Sequence, residues 1–262
     1  MIKPTCEDTF LLIKRDLKNN YYSYTFSPYK SAKKCKPGQF VQLQIPNSNL
    51  FFRRPFSISS ITPDGDIELI FKIFGEGTEL LANASKGDCV NLLGPLGMPF
   101  VFPKKNEKTI IIAGGVGFPP LMYLAVEMIA KGYDPKSIEF FYGGRTTDDI
   151  IEKNRIKKLG VNFHPVTEDG SFGTKGLVTK PVEDFIHSSN TKMRIYSCGP
   201  TGMLKAANAL GLKYKIPGQL SLEAPMPCGV GICLGCVVLK NDGTHARVCI
   251  DGPIFDIGEI DL

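Results

Sequence analysis

Four of the eight cysteines fall within residues 228–249, spaced Cys228-x4-Cys233-x2-Cys236-x12-Cys249. Thiolates are soft ligands for iron, zinc and copper, and C-x4-C-x2-C followed by a later Cys is the spacing of plant-type [2Fe–2S] clusters. Structural zinc more often shows two short C-x2–4-C pairs, and only Cys233/Cys236 has that spacing here. Gly229, Gly231 and Gly235 between the ligands allow backbone N–H groups to approach cluster sulfurs. A zinc knuckle and metal-free buried thiols are the competing readings. Residues 1–10 carry Lys3, Glu7 and Asp8 and lack a signal-peptide core, so a reducing, cytoplasmic setting without disulfides is expected. Cys6, Cys35 and Cys89 read as ordinary buried residues, and His164, His187 and His245 show no ligand spacing.

Three further groups suit nucleotide chemistry. Arg53-Arg54-Pro55-Phe56-Ser57 places a guanidinium, an aromatic ring and a hydroxyl on one strand: Arg54 for phosphate, Phe56 for a planar ring, Ser57 for a flavin edge. A surface arginine on a strand is the plainer reading. Gly75-Glu76-Gly77-Thr78 opens a helix whose start suits a pyrophosphate. Gly114-Gly115-Val116-Gly117-Phe118-Pro119-Pro120 lies between a strand and a helix, where dinucleotides bind, yet it is not G-x-G-x-x-G, and proline at a helix start needs no ligand. Cys198-Gly199-Pro200 ends a later strand beside the same crevice, against the alternative of Cys198 as a small buried hydrophobe. Arg145 could meet a cofactor phosphate, and Asp148 and Asp149 would repel a 2′-phosphate, favouring NAD over NADP.

These residues need scaffolds of two kinds. Residues 1–104 carry short alternating segments at 38–45, 54–60, 67–74 and 88–93, punctuated by turns at 63–66 and 94–97, the rhythm of a small antiparallel β-barrel. After a polar joint at 103–108, strands at 109–113, 138–142, 161–166 and 193–198 alternate with helical segments, including 121–129 and 147–159. That alternation implies a Rossmann-like parallel α/β sheet over 105–217, binding ligands at its carboxyl edge. Residues 218–262 form a third, small segment holding the cysteines. Met226, Ile232 and Leu234 are expected to be exposed apolar residues near the cysteine loop that pack locally or meet a partner.

With 262 residues, 43% hydrophobic and 22% charged, the chain is neither disordered nor fibrous. A net charge of +5 without charge runs argues against nucleic-acid binding. The 18 uncharged residues 109–126 are broken by Gly114, Gly115, Gly117, Pro119 and Pro120, so a strand, turn and helix are expected there and no membrane span.

Taken together, the motifs resemble the ferredoxin–NADP reductase superfamily: Arg54-Pro55-Phe56-Ser57 its R-x-[FY]-[ST] flavin motif, residues 114–120 its nicotinamide glycine loop, Cys198-Gly199-Pro200 its Cys-Gly-Pro turn. Residues 228–236, Arg247-Val248-Cys249-Ile250-Asp251-Gly252-Pro253-Ile254-Phe255-Asp256 and Thr167-Glu168-Asp169-Gly170-Ser171 resemble the electron-transfer subunits of B-type dihydroorotate dehydrogenases. That resemblance implies FAD on the barrel, held by Arg54 to Ser57 with Phe71, Lys72, Ile73, Gly77 and Thr78. It implies NAD at Gly114, Gly115, Gly117, Pro119, Arg145, Cys198, Gly199 and Pro200, with Cys198 as the residue near the reacting nicotinamide. A [2Fe–2S] cluster would sit on Cys228, Cys233, Cys236 and Cys249. It further implies an FMN-containing TIM-barrel partner that oxidises dihydroorotate to orotate in pyrimidine biosynthesis, in a heterotetramer of two plus two. The competing assignments are the small flavin/iron–sulfur subunit of an NADPH–ferredoxin or sulfide dehydrogenase complex, and a zinc module that only binds a partner.

Overall fold

The computed structural model describes residues 3–28 and 30–262. Six strands, β1 (Thr5–Lys18), β2 (Tyr21–Phe26), β3 (Phe40–Leu43), β4 (Arg54–Ile61), β5 (Ile67–Lys72) and β6 (Cys89–Leu96), close an antiparallel barrel in the order β1-β2-β5-β4-β3-β6. Helix α1 (Glu76–Ala82) lies between β5 and β6. The barrel interior is filled by Leu11, Tyr24, Val41, Leu43, Ile58, Leu69, Phe71 and Leu92.

An α/β layer follows: β7 (Lys108–Gly114), α2 (Phe118–Ala130), β8 (Ile138–Gly144), α3 (Lys153–Lys158), β9 (Asn162–Thr167), β10 (Thr174–Lys175), α4 (Thr179–Ser188), β11 (Met193–Cys198), α5 (Thr201–Lys213) and β12 (Gly218–Ser221). The chain ends with β13 (Val237–Leu239), β14 (His245–Arg247) and β15 (Ile254–Asp256). The sheet runs β10-β9-β8-β7-β11-β12-β15, parallel except for β15. Two strands of the cysteine-bearing segment, β12 and β15, are thus stitched into the central sheet. Residues 109–126 form the end of β7, a glycine turn and the start of α2, and none of the described helices is long and apolar enough to cross a membrane.

Several expectations change. Strands β1 and β2 are not among the expected segments: only Thr9 and Leu11 of β1 are buried, β2 is mostly buried, and Lys18, Asn19 and Asn20 turn the chain between them at positive φ. Strand β6 continues through Gly94 and Pro95 and turns at Gly97, so the turn lies later than 94–97. The helix expected over 147–159 is broken into a 3-10 turn at Thr147–Asp149 and the six-residue α3. Ile150 and Ile151 are both buried, which neighbouring helical positions achieve poorly, and Glu152 reverses the chain at φ 51°. Cys6 and Cys89 are exposed, because their positions on β1 and β6 face outward; Cys35 is buried. Met226 is buried against the sheet, whereas Ile232 and Leu234 are exposed.

Ion pairs tie barrel to sheet. Glu68 on β5, buried, accepts from Arg15 at 2.9 Å, Arg155 of α3 at 2.7 Å, Ser23 and Ser60. Lys72 reaches Asp149 at 2.9 Å, and the Tyr21 hydroxyl donates to the same carboxylate at 3.0 Å. At the amino edge of the sheet, Glu139 is paired with His164 at 2.7 Å and Lys108 at 3.0 Å. Burial opposes its ionisation, but these partners and Asn162 outweigh it and bring its pKa down to about 2. A carboxylate whose pKa falls on folding stabilises the fold above its ordinary pKa and loses that contribution as pH drops through the folded value. Glu139→Gln is therefore expected to cost about 1–3 kcal/mol at pH 7. The difference from the parent should hold to near pH 5 and shrink between 4.5 and about 2, read from thermal unfolding across pH.

Candidate functional site

The four clustered cysteines come together in two pairs. The Cys233 N–H points at the Cys228 sulfur at 3.5 Å, and the Cys249 N–H at the Cys236 sulfur at 3.5 Å. The Gly235 N–H approaches the Cys233 sulfur at 3.4 Å. Burial opposes ionisation of Cys228, but the N–H groups of Cys233, Val230 and Ile232 outweigh it and lower its pKa to about 6. Cys249 is pushed up to about 12 by burial and by the neighbouring Cys236 sulfur. Among the described residues, no group of three or more His, Cys, Asp or Glu side chains surrounds a single point. Two thiol pairs lined with N–H donors suit a binuclear cluster, which takes two protein ligands per iron, better than one tetrahedral zinc.

On β4, strand alternation turns Phe56 and Ile58 into the barrel with Val41, leaving Pro55 and Ser57 on the outer face. The Phe56 ring packs against Phe71, centroids 5.6 Å apart, so it is core and does not present its face to a planar ligand. Arg54 sits across α1: a Cβ on Gly77 would lie 2.8 Å from the Arg54 Nε, so glycine at that position lets the guanidinium lie directly against the helix, and a larger residue would push the arginine aside. This cradle fits a bound pyrophosphate. The Thr78 hydroxyl is used locally, accepting from the N–H groups of Phe74 and Gly75. Ile73 follows β5 and is half-buried, while Lys72 is committed to Asp149.

The glycine turn after β7 and the Cys-Gly-Pro turn after β11 meet at the carboxyl edge of the sheet. A Cβ on Gly117 would collide with the Cys198 carbonyl and lie 2.6 Å from the Gly199 nitrogen, while Gly114 faces Met203 and Pro200. These glycines are therefore required by the mutual packing of the two turns. Helix α2 begins Phe118-Pro119-Pro120, and two of those three positions have no N–H, which leaves it a poor anion cradle. Helix α5 keeps exposed N–H groups at Thr201 and Gly202 behind Pro200. Cys198 is 3% exposed, and burial followed by the charge of Glu223 pushes its thiol upward, so it is neutral at physiological pH. Arg145 is exposed, and its backbone N–H donates to Asp149.

Two residues at the candidate sites are not among those expected from the sequence. Glu223 follows β12 at the same edge, where surrounding protein raises its pKa; the rule that ligands gather at carboxyl strand ends was the available signal. Gln42 on β3 is completely buried and bonded to the cysteine loop, and nothing in its local sequence points to that.

Comparison with known proteins gives three matched regions. Residues 10–100 match an oxidoreductase FAD-binding domain, 111–209 an oxidoreductase NAD-binding domain, and 223–261 the iron-sulfur cluster binding domain of dihydroorotate dehydrogenase B. The chain is 37% identical over 235 residues to the dihydroorotate dehydrogenase B (NAD(+)) electron transfer subunit of Shouchella clausii, covering 87% of each. It is 34% identical over 253 residues to that of Caldanaerobacter subterraneus, covering 95% of this chain and 96% of the relative. The chain belongs to the family of dihydroorotate dehydrogenase B electron transfer subunits. Among solved structures, a chain of the NADH-dependent reduced ferredoxin–NADP oxidoreductase superposes with TM-score 0.85 at 26% identity, covering 97% of this chain and 89% of that one. A ferredoxin–NADP+ reductase from Neisseria gonorrhoeae superposes at 0.69 with 19% identity, covering 80% and 91%, a likeness of fold.

Within this family's architecture the interlocked turns set the shape of the crevice. Gly117→Ala is expected to lower stability by about 1–3 kcal/mol through overpacking. It should also raise the KM for NADH without altering iron, sulfide or FAD content, as measured by unfolding, steady-state kinetics and composition.

Proposed function

We propose that this chain carries electrons from a partner dihydroorotate-oxidising flavoprotein through a [2Fe–2S] cluster and FAD to NAD+. The observation that carries the reading is the seating of a paired-thiol loop against the same barrel face that bears Pro55 and Ser57. Bound nicotinamide exchanges a hydride, the cluster single electrons, and a flavin both, which assigns the flavin the middle position.

The residues support separate tasks. Cys228 with Cys233 and Cys236 with Cys249 would hold the [2Fe–2S] cluster, which supplies one-electron transfer when bound. Arg54 over Gly77 offers a bidentate donor to the FAD pyrophosphate, beside Thr78. Pro55, Ser57 and the backbone of Phe56, Phe71, Lys72 and Ile73 border the flavin. The interlocked turns at Gly114, Gly115, Gly117 and Pro119 and at Cys198, Gly199 and Pro200 shape the nicotinamide crevice. There Cys198 contributes a compact neutral thiol next to the reacting ring, and Arg145 meets a phosphate. Asp149 is engaged by Lys72 and Tyr21, which leaves the exposed Asp148 to disfavour a 2′-phosphate.

The partner is an FMN-containing TIM-barrel subunit, assembled two plus two with this chain in the cytoplasm. The exposed Ile232 and Leu234, within the cysteine loop, offer apolar surface to such a partner. The fold shared with the ferredoxin–NADP oxidoreductase chain keeps a ferredoxin-linked complex as the competing assignment.

The purified chain should contain two irons, two sulfides and one FAD, and oxidise NADH with an artificial acceptor. It should not oxidise dihydroorotate until the TIM-barrel partner is added. Dihydroorotate turnover by the single chain would overturn the reading, as would zinc without sulfide or flavin. Co-purification with a disulfide-reductase-like flavoprotein would transfer the chain to the ferredoxin-linked class.

A further inference from the structure

Gln42 is the point at which the flavin-side strand and the cysteine loop are fastened together. Its side chain is completely buried, and its Nε2 donates to the Met226 carbonyl at 2.6 Å, joining residues 184 apart in sequence. On β3 it is the direct register partner of Pro55, in the Arg-Pro-Phe-Ser motif of β4, so the two side chains share one barrel face. On the other side it meets Gly229, the neighbour of Cys228: a Cβ there would lie 2.6 Å from the Gln42 Cγ, and Gly229 holds φ +69°. Arg53 steadies the strand by donating to the backbone carbonyl of Gln42 at 3.5 Å and to that of Asn91 at 3.0 Å.

The amide's other end is unusual. Oε1 is buried and accepts no hydrogen bond from the described residues. Exchanging the amide's oxygen and nitrogen would set two acceptors against each other at Met226, so the donor assignment follows from chemistry. A buried amide with an unpaired acceptor is costly, and an aliphatic side chain of similar size would fill the space without that cost. What glutamine adds is a directional bond to the loop.

We propose that Gln42 is a positioning residue that sets the separation between the flavin-bearing face and the [2Fe–2S] cluster, by fixing the Met226-Pro227-Cys228 approach to the first ligand. Pro55 and Cys228 are then linked by one cross-strand pair, one hydrogen bond and two residues of chain. The proposal rests on the assignment of FAD and the cluster made above, and iron, sulfide and FAD analysis tests that assignment separately.

The test uses the full chain loaded with both cofactors and the variant Gln42→Met, which keeps size and removes the donor; Gln42→Leu serves if the first does not fold. After rapid mixing with NADH, flavin and cluster bleaching are followed at their own wavelengths, together with the cluster's electron paramagnetic resonance spectrum and thermal unfolding. The expected result is an unchanged flavin phase and a cluster phase slowed about tenfold or more, with an altered resonance line shape. Loss of the cluster with FAD retained also supports the proposal, because it shows the loop released. Cluster bleaching at the parental rate would overturn it, as would equal slowing of both phases, the mark of general loosening.

Discussion

A segment of about forty residues rich in glycine, proline and cysteine cannot bury enough apolar surface to fold by itself. Here that constraint is met by sharing. Cys236, Val248, Cys249 and Phe255 belong to one continuous apolar cluster with Ile195 and Leu220 of the sheet and with Phe40 and Leu96 of the barrel. Cys236 and Cys249 are thus held by a core that other parts of the chain supply. Strands β12 and β15 extend the central sheet into this segment, and Gln42 bonds it to the barrel. The same packing that stabilises the segment brings the cysteine loop against the barrel.

The contacts between barrel and sheet have a different character. Glu68 with Arg155, Arg15 with Glu152, and Asp149 with Lys72 and Tyr21 are polar links around partly buried carboxylates. Such pairs are directional and lose much when one partner is removed. They lie on β1, β2 and β5 and on the segment following β8, so they set the carboxyl edge of the sheet relative to the barrel. The glycine turn after β7 and the Cys-Gly-Pro turn after β11 are locked to each other by glycine-limited packing at Gly117 and Cys198.

What could be read from the sequence divides along the same line. The cysteine spacing was informative because cluster chemistry constrains positions close in the chain, and the strand–turn–helix rhythm exposed the α/β layer for the same reason. The glycine turn was harder: its residues are the types that cradle phosphate, but Gly114 and Gly117 are demanded by the neighbouring turn, which lies some eighty residues away. Phe56 looked like a stacking ring and is core, since motif identity does not reveal which face of a strand points inward. Strand β1 carries too few buried residues to show a period, and Gln42 acts across 184 residues.

The most direct measurement is anaerobic addition of NADH to the isolated chain with electron paramagnetic resonance at low temperature. If hydride from the nicotinamide side is converted to single electrons at the loop, a reduced binuclear iron–sulfur signal should grow as the flavin colour disappears. A bleached flavin with no such signal, at full iron and sulfide content, would contradict the path from the sheet crevice through the barrel face to the cysteine loop.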